Sequence, residues 1–158
     1  MEEVLHHTTY NLELSVYQGL KFLATERNLS ISAVIRMLMK MVSEEMKFST
    51  MPKRLTEYQR LPEDGEWKTF HIKLTIEEAE HFVDMRKFFK KSVSFLIKYA
   101  LEKYGVAFLN LPESQTEKWG DKNIFPHYSF GHKTVSGQQY FIISWGKVTK
   151  YPDMNSLP

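Results

Sequence analysis

A short alternating stretch occurs twice in this chain and limits what it can fold into. Thr8–Ser15 reads Thr-Thr-Tyr-Asn-Leu-Glu-Leu-Ser, and Lys68–Thr75 reads Lys-Thr-Phe-His-Ile-Lys-Leu-Thr. In the first, Tyr10, Leu12 and Leu14 fall on one side and Thr9, Asn11 and Glu13 on the other. In the second, Phe70, Ile72 and Leu74 oppose Thr69, His71 and Lys73. A period of two over this length specifies a half-buried β-strand. Each stretch ends on a hydroxyl residue, Ser15 or Thr75, with Gln18 or Glu78 three positions on. That is capping-box spacing, in which the hydroxyl accepts from a free helix N–H and the longer side chain reaches back. Each half therefore reads as a strand running directly into a helix.

The first helix spans about Val16–Arg27, with Val16, Leu20 and Leu23 on its buried stripe. Gly19 permits a close approach, and Asn28 suits the left-handed end. Ser30 is a natural N-cap for a second helix reaching about Lys47. Val34, Ile35, Met37, Leu38, Met39, Met41, Val42 and Met46 make that helix apolar on nearly every side. Such a helix is buried on several faces and requires a partner of its own kind. The pattern recurs as a helix over about Ile76–Phe89, then Ser92-Val93-Ser94 and a helix stopping at Gly105. The strands repeat at a spacing of 60 and the second helices at 62, which implies two extra residues in the second half.

Between the halves, Phe48–Glu66 reads as a linker, with Pro52, Pro62, charges of both signs and an Asp64-Gly65 turn signal. Its flexible span is about 25 Å. The final stretch, Val106–Pro158, is rich in aromatics and turn residues. Runs at about Tyr128–Val135 and Gln139–Val148 form a candidate β-hairpin, and Tyr140–Trp145 is too apolar for a free tail.

Composition narrows the function. The chain of 158 residues has no cysteine, which removes disulfides and thiolate chemistry. No apolar run approaches the roughly 20 residues of a membrane span. Met1–His7 lacks an apolar signal core, and the expected location is the cytoplasm. Net charge is only +2, so any nucleic-acid contact must rest on locally placed cations. There is no nucleophile motif, phosphate-binding glycine loop or carboxylate pair, so an enzyme and a cofactor are not expected. His6-His7 and the pair His127 and His132 lack a third ligand at a telling spacing, and no metal site is assigned.

Strand, helix, Ser-x-Ser turn and a buried helix opening on apolar-Ile-Arg resemble the ribbon–helix–helix family of bacterial DNA-binding proteins. The resemblance rests on Tyr10–Ser15 with Ser30–Leu38, and on Phe70–Thr75 with Ser92–Ala100. It implies a mainly α fold with a short two-stranded antiparallel ribbon. Residues 8–47 would be one copy, 48–66 a linker, 67–105 the second copy and 106–158 an aromatic-rich C-terminal extension. Both copies lie on one chain, which implies a monomeric pseudo-dimer able to assemble further on DNA. A short tether gives a roughly millimolar effective concentration, favouring pairing by about 4 kcal/mol over micromolar free copies.

The resemblance also implies a function. The partner is double-stranded DNA, read in the major groove by a transcriptional regulator, of the repressor or plasmid type. The base contacts would be Thr9, Asn11, Glu13, Thr69, His71 and Lys73. Asn11 suits adenine and Lys73 guanine. The phosphate contacts would be Ser30, Ser32, Lys90, Lys91, Ser92 and Ser94, at the N-termini of the second helices. Because the two outward faces differ, the expected site is non-palindromic. Glu13 departs from the family, which usually carries a basic or amide side chain there. Two alternatives stand beside this reading. One is an antitoxin-like or accessory module binding a protein partner through residues 106–158. The other is a metal-responsive regulator using His127 and His132.

Overall fold

The computed structural model describes residues 5–45, 48–52, 54–114 and 128–145, with the backbone alone at 48–50, 52 and 145. Met46, Lys47, His127 and the end of the run to Val148, all invoked above, lie outside the described residues. The architecture is mixed α and β. Strand β1 (Leu5–Glu13) leads into helices α1 (Leu14–Arg27) and α2 (Ile31–Glu44), and a short β2 (Phe48–Pro52) follows. The order then repeats as β3 (Trp67–Thr75), α3 (Ile76–Phe89) and α4 (Val93–Leu109), before β4 (Tyr128–Val135) and β5 (Gln138–Trp145).

β1 and β3 pair with each other, antiparallel, in a two-stranded sheet. Leu12, Ile72 and Leu74 are fully buried, and Tyr10 and Phe70 pack against the same core. The ladder rests on α2 and α4, which are the paired apolar helices that the sequence demanded. Val34, Ile35, Met37, Leu38, Met39 and Val42 from α2 meet Leu96, Ile97, Ala100 and Phe108 from α4 in one continuous core. Each such buried side chain contributes about 1.5–3 kcal/mol, more than a typical ladder hydrogen bond at about 0.5–1.5. Helix burial therefore holds the two halves together, and the ladder sets their register. Gly19 allows α1 to lie against α4, since a Cβ there would stand 2.8 Å from a Leu101 methyl carbon.

Several local expectations change. Elements of the second half begin 62 positions after their counterparts, strands included, so there is no two-residue insertion. Ser15 is not an N-cap. α1 starts at Leu14, its N-cap is Glu13 without a side-chain capping bond, and the Ser15 hydroxyl donates to the Glu13 carboxylate at 2.9 Å. Thr75 and Glu78 do form the full capping box. Asn28 ends α1 in the left-handed conformation, and Lys90 does the same for α3. α4 continues through Gly105 to Leu109, because Phe108 is completely buried in the core.

The segment 48–66 is not wholly linker. β2 pairs with β5, which also pairs with β4, giving a three-stranded sheet of order β2-β5-β4. β4 and β5 form the expected hairpin, turned by Ser136 and Gly137, both at positive φ as a two-residue type I′ loop requires. The sheet docks on α3. The Tyr128 ring meets His81 edge-on at 4.4 Å, and its hydroxyl donates to Asp84 at 2.8 Å. Burial, together with that bond to a carboxylate, raises the Tyr128 phenol above its ordinary value.

Burial holds the His81 imidazole neutral, its pKa pushed down to about 3 from 6.5. The unfolded chain takes up a proton on that ring below 6.5 and the folded chain does not. Stability should therefore be fully present above pH 6.5 and fall as the pH drops toward 3, by about 1.4 kcal/mol per unit from this group. Urea titrations between about pH 6.5 and 5 should show that slope in the native chain and lose it in His81→Leu. An unchanged slope in the variant would contradict the assignment.

Candidate functional site

The outward face of the β1–β3 ladder is built by three opposed pairs. His7 stands across from Lys73, Thr9 from His71, and Asn11 from Thr69. All six are exposed, while Tyr10, Leu12, Phe70, Ile72 and Leu74 on the other face belong to the core. Thr9 Oγ1 and His71 Nδ1 lie 3.0 Å apart, and the Thr69 hydroxyl donates to Asn11 Oδ1 at 3.1 Å. These cross-strand bonds tie neighbouring side chains into rows, so the face is an ordered set of donors and acceptors.

Five of the six residues proposed for base contact are thereby brought together: Thr9, Asn11, Thr69, His71 and Lys73. His7 belongs with them and was missed. With repeats 62 apart, His7 corresponds to Thr69, Thr9 to His71 and Asn11 to Lys73. Thr9 and His71 also face each other, so the ladder is centred on that pair.

Glu13 does not join the row. It occupies the position of Thr75 in the other half, where strand gives way to helix. Its carboxylate is 3.0 Å from the Lys98 ammonium and also accepts from Ser15 and, at 3.3 Å, from the Gln59 amide. The bond from Lys98 leads the causes that hold Glu13 below the usual carboxylate range. Opposite it, Trp67 remains 45% exposed at the end of the ladder.

The ion pair at Glu13 has a counterpart across the ladder. Arg36 of α2 reaches the strand–helix joint of the second half, with Nε 3.1 Å from Glu78 and a guanidinium N–H on the Lys73 carbonyl. Glu78 in turn accepts from the Thr75 N–H at 2.9 Å. Lys98, equivalent to Arg36, reaches the joint of the first half. Each buried helix thus clasps the other half where strand becomes helix, which fixes the strand ends under the outward face.

The proposed phosphate contacts divide. Ser30 and Ser92 cap their helices, accepting from the N–H groups of Ala33 and Phe95 at 3.1 and 3.2 Å. Ser30 is exposed; Ser32, Ser92 and Ser94 are half-buried. At α4 the chain segment around Glu57 lies across the helix start. The Ser92 N–H donates to the Glu57 carbonyl at 2.9 Å, and the Glu57 N–H donates to the Lys90 carbonyl at 2.7 Å. Lys91 is ion-paired with Glu57 at 2.8 Å, and Lys90 sits 4.7 Å from the Phe141 ring centre. Lys91 therefore meets a carboxylate of its own chain, and that pairing lowers the Glu57 pKa.

Among the described residues, no three His, Asp or Glu side chains gather as a metal site. His132 is exposed on β4, and its suggested companion His127 lies outside the described residues. Among those residues, no helix is long and apolar enough to cross a membrane. No protein-family model, curated protein or solved structure matches this chain.

The two clasps differ in burial, and the difference decides their weight. Side-chain exposure is 17% and 2% for Arg36 and Glu78, against 32% and 12% for Lys98 and Glu13. Removing one partner of a buried pair costs about 3–5 kcal/mol, and an exposed pair contributes about 1 or less. Arg36→Ala should destabilise the chain by about 3 kcal/mol and Lys98→Ala by about 1, read from urea unfolding midpoints. Equal losses would show that the clasps are not graded by burial.

Proposed function

We propose that this chain binds double-stranded DNA as a single-chain ribbon–helix–helix pseudo-dimer, with the β1–β3 ladder in the major groove. One observation carries the reading: two strands 62 residues apart pair antiparallel and present His7, Thr9, Asn11, Thr69, His71 and Lys73 together on one open face. A two-stranded ribbon fits the major groove, about 12 Å wide, where each base pair shows a distinct pattern of donors and acceptors. Lys73 donates to guanine O6 and N7, and Asn11 pairs with adenine N6 and N7. On this reading Ser30 and Ser32 hold phosphates on one flank, and Ser92 and Ser94, which share a cleft with Thr9 and Asn11, on the other.

The same face supports an asymmetric site. Equivalent positions carry different chemistry: Asn11 against Lys73, His7 against Thr69, Thr9 against His71. A symmetric dimer repeats one set of side chains and reads a palindrome. This chain presents each side chain once. The biological role that follows is regulation of transcription in the cytoplasm, with no catalysis of its own.

The test is a fluorescence anisotropy titration against a pool of genomic duplexes, repeated across salt concentrations. Selective binding should appear and weaken steeply as salt rises. Lys73→Ala should relax preference at one guanine by about 1–3 kcal/mol, roughly 5- to 150-fold, with the fold retained. Negligible duplex binding at low salt would end this reading and leave the alternative, a protein partner held through residues 106–158.

A further inference from the structure

The two flanks of the ribbon are chemically unequal. With equivalents 62 apart, Arg86, Lys87, Lys90 and Lys91 in the second half stand where the first has Ala24, Thr25, Asn28 and Leu29. The cation that the first half does carry at this turn, Arg27, is committed inward. Its guanidinium donates to the backbone carbonyls of Leu109 and Leu111, the former at 3.2 Å, at the end of α4.

The second flank is also built up by the chain segment at Glu57. That segment is fixed by its backbone bonds to Lys90 and Ser92, and this fixing sets Tyr58 beside Arg86. The Tyr58 hydroxyl accepts from an Arg86 guanidinium nitrogen at 3.0 Å, and its ring centre is 5.9 Å from the same group. Both residues are exposed. They line a cleft of about 290 Å³ with Thr9, Asn11, Trp67 and Ser94, so the cleft runs from the outward face of β1 to the start of α4. A guanidinium has five N–H donors in a planar fork suited to two phosphate oxygens, and one bond to a phenol orients it while leaving that fork capacity.

We infer that Arg86, oriented by Tyr58, grips a backbone phosphate of the duplex on this flank alone, so that the segment around Tyr58 is part of the DNA interface. This rests on the DNA-binding reading above. The ligand chemistry is a phosphodiester of a strand lying across the cleft while the adjacent ribbon occupies the groove. Lys91, neutralised by Glu57, adds little, and no equivalent arginine grips the other strand.

The salt dependence of binding measures this directly, because each phosphate contact adds about 0.9 to the slope of log K against log salt. Arg86→Ala should make the slope shallower by about one. Lys21→Ala removes an exposed cation from α1 in the first half and should leave the slope unchanged. Tyr58→Phe keeps the ring and loses the hydroxyl, so binding should weaken by about 2- to 10-fold at an unchanged slope. Circular dichroism melting of each variant confirms the fold. If native protein binds duplex DNA and Arg86→Ala keeps the native slope, the one-sided grip is wrong and DNA binding stands. If native protein fails to bind even at low salt, both fall together.

Discussion

Pairing of β1 with β3 is the constraint from which the rest follows. Among the described residues neither strand has another neighbour in its sheet, and an isolated two-stranded ladder is marginal in water. It persists because its inner residues, Leu12, Ile72 and Leu74, close over α2 and α4. Those helices are too apolar to stand alone, so they need each other as much as the strands need them. The Arg36 and Lys98 clasps then pin each strand end to the opposite half. A single arrangement satisfies the ladder, the helix pair and both ion pairs, and it leaves the polar side of the ladder facing solvent.

Covalent linkage changes what such an arrangement can become. When two identical chains pair, every substitution appears twice, and a change that helps one side must be tolerated on the other. On one chain the sides are free to diverge. Glu13 has taken an ion-pairing place where Thr75 caps a helix. Arg27 braces the end of α4 where Phe89 joins the core. The connection between the halves has gained a strand in the second sheet and a contact across α4. Asymmetry is thus spread through the molecule, from the core to the exposed face.

Much of this was legible in the residues, for local reasons. Alternation gave both strands, Ser30 and Ser92 gave the helix caps, and two short runs at about Tyr128–Val135 and Gln139–Val148 marked the hairpin. The repeat spacing was not legible from the strands. A slip of two residues leaves every side chain on the same face, so alternation alone cannot separate 60 from 62. That ambiguity hid His7 and placed Glu13 among the base contacts, although the helix caps already repeated at 62. β2 was hidden because its pairing partner is β5, more than 80 positions along the chain, and its own five residues end in proline. The continuation of α4 past Gly105 is a tertiary effect: a helical glycine costs about 1 kcal/mol, and burial of Phe108 outweighs it. The contact of Glu57 with α4 likewise depends on backbone groups that no side-chain pattern reports.

The central claim is that the paired strands are the surface that meets DNA. Titrating a selected duplex into isotopically labelled protein, and following each backbone amide by NMR, tests it most directly. The account predicts that the largest shifts fall on His7, Thr9, Asn11, Thr69, His71 and Lys73, with cross-strand contacts between Thr9 and His71 kept in the complex. Shifts confined to β4 and β5, or strands that separate on binding, would contradict it.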